Sequence, residues 1–259
     1  MKVTSIRLPI ILGVMLGVAL GTHYLTRFLY GQAMNSRSRV PVTIQTETRV
    51  GNTPPIITIT AFRSDGSRVD IYDISNDPAG HAMRDIIDIP RRIGTSVDSM
   101  TGLAAVQPLT REATTRMSAF PIRCEDFFAR QNAAVTCEPS DQAIHGYSLL
   151  KVKVEVIDSA RGTRFYTEHL ASPSLNFLPL ATKHWVNGTL RQEQTVTSLV
   201  VGEPDPTLFL VPAEYRVVEK ISQYYRQTSA TRGKTADPAY LAAMDAKVET
   251  AKAAVAAGQ

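Results

Sequence analysis

Residues 146–212 constrain this chain more than any other stretch, because they read as antiparallel strands laid down one after another. Leu150-Lys151-Val152-Lys153-Val154-Glu155-Val156 alternates apolar and charged residues, which buries one face of a strand and wets the other. Asp158-Ser159-Ala160-Arg161-Gly162 is turn chemistry, and residues 163–170, rich in Phe, Tyr and Thr, read as the return strand. Ser172-Pro173-Ser174 breaks the pattern before a strand over 175–186. Asn187-Gly188 is a hairpin signal, because both positions of that turn need positive φ, and a strand over 190–201 follows. Gly202-Glu203-Pro204-Asp205-Pro206, a short apolar run at 208–211 and Pro212 close the block. Trp185, beside the Asn-Gly turn, is expected to pack across strands.

Upstream, strands are expected over 42–48, 56–63 and 69–72, one extended stretch over 85–97, and a strand over 103–109. Pro121 opens a helix over 122–131 that carries Cys124, Phe127 and Phe128. Downstream, Tyr215, Val218, Ile221 and Tyr225 predict a helix over 214–226. Asp237-Pro238 is an N-cap followed by proline at the first helical position, and an alanine-rich helix runs from there to Ala257. Leu241, Met244, Val248, Ala251 and Val255 form a narrow stripe on it, read as a mobile or lightly docked tail or as a face for a partner helix.

Residues 8–20 are almost wholly apolar, and no charge interrupts the chain between Arg7 and Arg27. Lys2 and Arg7 precede the run, the pattern of an export signal or an anchor with its N-terminus inside. Cleavage would fall at Ala19-Leu20-Gly21 or Gly31-Gln32-Ala33; a retained segment is long enough to span about 30 Å of hydrocarbon. Gly13, Gly17 and Gly21, at spacing four, share one helix face and would let a second membrane helix approach. Both alternatives place the body outside the cytoplasm, either anchored to the inner membrane or secreted to the periplasm. Cys124 and Cys137, the two cysteines of the chain, are then expected to form a disulfide. The expected division is a signal or anchor over 1–32, a β domain over 33–226, and a linker with the C-terminal helix over 227–259.

The net charge of +4 invites a nucleic-acid reading. Lys2, Arg7 and Arg27 account for most of it: 28 basic residues less these three leaves 25 against 24 acidic ones. A body so nearly neutral lacks the footprint of a phosphate binder, and no nucleic-acid partner is expected.

Reaction chemistry is sparse. Gly233-Lys234-Thr235 ends like a phosphate loop, but Thr228 stands where that motif needs glycine. Asn187-Gly188-Thr189 fits a glycosylation sequon, which the hairpin already explains. His145, His169 and His184 lie at no metal-helix spacing, and a structural or surface role is expected for them. Asp70, Asp73, Asp85, Asp88, Glu168, Glu203 and Asp205 show no pairing that calls for acid–base work, and no Gly-x-Ser-x-Gly elbow is present. No catalytic residue, cofactor or metal is expected.

Arg63-Ser64-Asp65-Gly66-Ser67-Arg68-Val69, Gly146-Tyr147 and Val200-Val201-Gly202-Glu203-Pro204-Asp205-Pro206, running on through Leu208 to Tyr215, resemble a class of exported proteins abundant in acidobacteria-like organisms. The resemblance covers residues 46–217 and implies compartment and fold rather than a reaction. The strand order is also similar to the curved half-barrel of periplasmic lipoprotein carriers of the LolA/LolB type, in which a bent sheet wraps a helix around an apolar cavity.

The expected fold is mainly β: a curved antiparallel half-barrel of roughly eight to eleven strands with one or two helices on its concave face. An N-terminal membrane helix and the C-terminal alanine-rich helix flank it. The expected function is a non-enzymatic cell-envelope protein, tethered by its N-terminal helix. It acts as accessory subunit of a membrane assembly or binds an apolar ligand. A soluble periplasmic lipid or lipoprotein carrier and a periplasmic hydrolase, with His169 beside Glu168 or His184, are the alternatives.

Overall fold

A computed structural model describes residues 40–73, 81–118, 123–128, 133–158 and 162–258. Residues 37–259 form one compact unit. The expected membrane segment, with Gly13, Gly17 and Gly21, lies outside the described residues. Among the described residues no helix is long and apolar enough to cross a membrane.

The twelve described strands are β1 (Val42–Val50), β2 (Ile56–Phe62), β3 (Arg68–Asp73), β4 (Ala82–Asp88), β5 (Ile93–Asp98), β6 (Leu103–Pro108), β7 (Ala133–Ile144), β8 (Tyr147–Asp158), β9 (Thr163–Ser172), β10 (Leu178–Val186), β11 (Thr189–Val201) and β12 (Arg216–Val218). Four described helices accompany them: α1 (Arg111–Ser118), α2 (Cys124–Phe128), α3 (Ile221–Thr231) and α4 (Pro238–Ala256). The strands form one open sheet in the order β12-β6-β5-β4-β3-β2-β1-β11-β10-β9-β8-β7. Consecutive hairpins build each arm, β1 to β6 and β7 to β11, and the β1–β11 pair joins them. Every pairing is antiparallel except β12 on β6.

The sheet is curved. His145 Nε2, at the tip of the β7–β8 hairpin, lies 2.9 Å from the Val196 carbonyl of β11. In a flat sheet β8 and β11 stand three spacings apart, about 14 Å. The β1–β11 register slips between Gln45 and Thr46, a bulge that bends the sheet at its middle.

Alternation decides what each face holds. The inner face carries Val42, Ile44, Thr46 and Thr48 of β1, all buried. At the β7 end, α2 covers it: Cys124 and Phe128 pack on Val152, Val154 and Ala171. At the β6 end, Ile221 and Tyr224 of α3 and Val248 of α4 pack on Leu103, Ala105 and Val218. The outer face of β8 to β11 is wet and charged, with Lys151–Glu168 at 3.1 Å and Lys183–Glu193 at 3.1 Å. Over β2 to β6 that same outer face is instead covered by Leu208, Phe209, Val211 and Tyr215, which pack on Ala61, Val69, Ile86, Val97 and Ala104. β5 is therefore buried on both faces and shows no alternation.

Several expectations change. The stretch 85–97 is two strands, β4 and β5, joined by a turn in which Arg92 takes φ 56° and the Arg91 amide donates to Asp88 at 3.0 Å. No glycine marks that turn. The helix expected over 214–226 is split: β12 pairs with β6 first, and α3 begins only at Ile221. Leu208 and Phe209 lie in a 3-10 turn, Pro206–Phe209, capped by the Asp205 carboxylate. Leu175 also ends a 3-10 turn, and Asn176 and Phe177, both at positive φ, precede β10. The helix over 122–131 is described as Cys124–Phe128. β7, Ala133–Ile144, is a strand that was not expected.

Candidate functional site

On the inner face, each central strand turns from apolar to polar along its length. Val42 and Ile44 give way to Thr46 and Thr48 on β1, and Leu178 and Leu180 to Thr182 and His184 on β10. On β9, running the other way, Ala171 gives way to His169 and Thr167; on β11 Val196 gives way to Gln194. The registers put the changes side by side: Thr46 opposite Thr58 and Val196, Thr48 opposite Gln194, Gln194 opposite Thr182, and Thr182 opposite His169. The inner face is thus two layers, apolar and polar, and the polar one is a seam across five strands. At about 4.8 Å per strand it spans roughly 19 Å.

The seam is partly self-satisfied. The His169 Nδ1 and Thr182 hydroxyl lie 2.9 Å apart, as do the His184 Nδ1 and Thr167 hydroxyl, two crossed pairs on adjacent strands. Phe128 of α2 lies over the His169 ring at 4.7 Å. Across the β2–β3 pair, the Thr60 hydroxyl donates to Asp70 at 2.7 Å and Arg68 pairs with Asp70 at 2.6 Å. The Ser96 hydroxyl donates to Asp85 at 2.7 Å. Between these ends, the hydroxyls of Thr46, Thr48 and Thr58 and the Nε2 of His184 are buried without a hydrogen-bond partner. Burial lowers the pKa of His184, so its ring is held neutral.

Cys124 and Cys137 are bonded, with Cα atoms 6.4 Å apart, and the bond pins α2 over β7. The stripe on α4 faces the chain's own body: Leu241 and Val248 are buried, and Val248 and Met244 pack with Tyr224 and Tyr225 of α3. Ala251 and Val255 are half-buried. Met244, Val248 and Ala251 also line a surface groove of about 240 Å³ against Gln107 and Pro108.

Glu168 lies on the outer face, where it meets Lys151 and the Tyr166 hydroxyl, so it cannot serve His169 on the inner one. Among the described residues no three histidine, cysteine or carboxylate side chains converge as a metal site. Trp185 stacks obliquely on its cross-strand neighbour Tyr166, ring centres 5.0 Å apart. Asn187 and Gly188 take φ 50° and 78°, the mirror-image turn expected of them. Asp88 and Asp205 cap turns, and Glu203 accepts from the Ser64 amide. Gly233, at φ 66°, follows the end of α3, and its amide donates to the Ala230 carbonyl, as at other helix ends.

The sequence matches no family model and no curated protein. The resemblance of 63–69 and 200–215 to exported acidobacterial-type proteins gains no support from these comparisons. Among solved structures, the chain is similar to MucB in complex with periplasmic MucA, at 12% identity and TM-score 0.38, over 73% of this chain and 60% of that one. The Mycobacterium tuberculosis lipoprotein LppX matches at 9% identity and TM-score 0.30, over 68% of this chain and 94% of that one. A LolA-superfamily protein from Nitrosomonas europaea matches at 6% identity and TM-score 0.27, over 66% and 89%. This chain thus spans less than two thirds of the MucB chain it matches. None of these scores reaches 0.5, and the likenesses carry no functional assignment.

Proposed function

We propose that this is a non-enzymatic protein of the bacterial cell envelope, tethered by residues 1–32, whose curved sheet binds an apolar or amphiphilic ligand on its inner face. One observation carries the reading: the inner face is built in two layers across the central strands, and helices pinned to the sheet cover it at both ends. A core made only for stability gains nothing from a row of buried hydroxyls without partners. The Cys124–Cys137 bond supports an oxidising compartment. Gly13, Gly17 and Gly21 are the proposed packing face of the tether.

The accessory-subunit reading is second. It rests on helical extensions expected at both ends, and α4 turns most of its stripe onto its own body. The groove beside Met244 and Ala251 is what still favours a partner helix there.

The test is binding of a fluorescent, uncharged long-chain acyl ester probe to the full chain in nanodiscs, against empty nanodiscs. Saturable binding that is competed by membrane lipid extract supports the reading. Signal no greater than with empty nanodiscs overturns it.

A further inference from the structure

We propose that the centre of the polar seam is a head-group subsite that selects uncharged ligands bearing hydroxyl or ester groups; this rests on the inner face being the ligand site.

The argument starts from four atoms. The hydroxyls of Thr46, Thr48 and Thr58 and the Nε2 of His184 are buried and lack a hydrogen-bond partner. Buried polar atoms of folded proteins are nearly always paired, and an orphan signals water, strain or a missing ligand. The three threonines are neighbours: Thr46 and Thr58 are directly opposed on β1 and β2, and Thr48 lies two residues further along β1. His184 stands further off, two strands from β1 and opposite Gln192. Thr46 and Thr48 are 0% exposed and Thr58 is 2% exposed, so the hydroxyls are presented inward and not to bulk solvent.

Their chemistry defines what fits. A threonine hydroxyl donates one hydrogen bond and accepts two. The His184 Nδ1 is engaged by the Thr167 hydroxyl, and its Nε2 is buried without a partner. All four groups are neutral. The charges at the seam's edge, Arg68 and Asp70, bind one another at 2.6 Å and leave no counter-charge for an ionic head. A carboxylate or phosphate placed here would be desolvated with no counter-charge beside it. A glycerol hydroxyl both donates and accepts, and an ester oxygen accepts from a threonine hydroxyl. The apolar layer alongside, Val42, Ile44, Leu178 and Leu180, takes the hydrocarbon part.

The test uses the full chain in nanodiscs with a diazirine-tagged decanoylglycerol and the matching tagged decanoic acid, with sites of labelling read by mass spectrometry. The expected result is saturable labelling of inner-face peptides by the monoglyceride, at least tenfold weaker by the acid. Thr46→Val and Thr58→Val should each weaken monoglyceride labelling about tenfold and leave the acid unchanged. Each should also raise the melting temperature by about 2–4 °C, because an unpaired buried hydroxyl is replaced by a methyl of like shape. Affinity and stability thus move in opposite directions, which a merely structural hydroxyl would not produce. Equal labelling by both probes, unmoved by the valine variants, overturns the subsite and leaves the apolar site standing. A lowered melting temperature with unchanged binding overturns it too, showing hydroxyls held by internal water. No saturable labelling by either probe overturns this inference and the ligand-binding reading together.

Discussion

Arg232 closes the C-terminal helices onto the sheet, and its loss should be costly. It stands just past α3, where Nη2 donates to Asp98 Oδ1 at 2.6 Å and Nη1 to Asp98 Oδ2 at 3.1 Å. The Asp98 side chain, at the end of β5, is 0% exposed. Arg232→Met keeps the apolar stem and removes the charge. Asp98 then keeps its bonds from the Thr101 hydroxyl at 2.7 Å and the Met100 amide at 3.3 Å, but no cation. Breaking a buried pair from one side costs about 3–5 kcal/mol, and the two surviving bonds place this case near 3. For a body of residues 37–259 that lowers the melting temperature by about 6–12 °C. The control is Asp98→Asn with Arg232→Met, which removes the orphaned charge and should recover at least half of the loss. The assay is urea unfolding followed by circular dichroism, with the two single variants and the double variant as a cycle. If Arg232→Met costs under about 0.5 kcal/mol, or the double variant is no better than the single, the latch is not a buried pair and the reasoning fails.

Other outcomes follow from the same geometry. Closing a loop with a sequence separation of 13 should make the Cys124–Cys137 bond worth about 3 kcal/mol; its double serine variant, checked by unfolding, should show that loss, and the native chain should show no thiol before reduction. Burial lowers the His184 pKa, so the folded state prefers the neutral ring. Its share of stability is full above the unfolded value of about 6.5 and is lost as pH falls through the folded value. His184→Gln should therefore flatten the fall in stability between pH 7.5 and pH 5, and an unchanged pH profile would count against it. Leu241→Ala, at a position 3% exposed, should cost about 2–3 kcal/mol and speed hydrogen exchange in α4 before β1. Asp237→Ala removes the carboxylate that accepts from the Ala239 amide at 2.9 Å, and should cost about 1 kcal/mol by the same unfolding assay.

The hairpins of β8 to β11 were legible because their outer face is wet: Lys151, Lys153 and Glu155 alternate against Val152, Val154 and Val156, and Asn187-Gly188 fixes a turn. The Asp237-Pro238 start of α4 was equally plain, since capping is a local event. β5 was not, because it is buried on both faces and its turn from β4 uses Arg92 in place of glycine. β12 has the sequence spacing of a helix, because its three residues are strand only by virtue of the β6 edge beside them. β7 carries Pro139 and a register shift, which blur its alternation. The seam was invisible for a related reason. Thr46, Thr48 and Thr58 look in sequence like ordinary strand formers. Only the register of β1 between β2 and β11 shows that these threonines are neighbours, with hydroxyls buried and without partners.

The most direct test of the account is native mass spectrometry of the full chain, gently extracted from its own membranes. The account predicts a chain that retains a non-covalent amphiphile with an uncharged head, released when the protein is unfolded. A chain of the bare polypeptide mass, with no species released on unfolding, would contradict it.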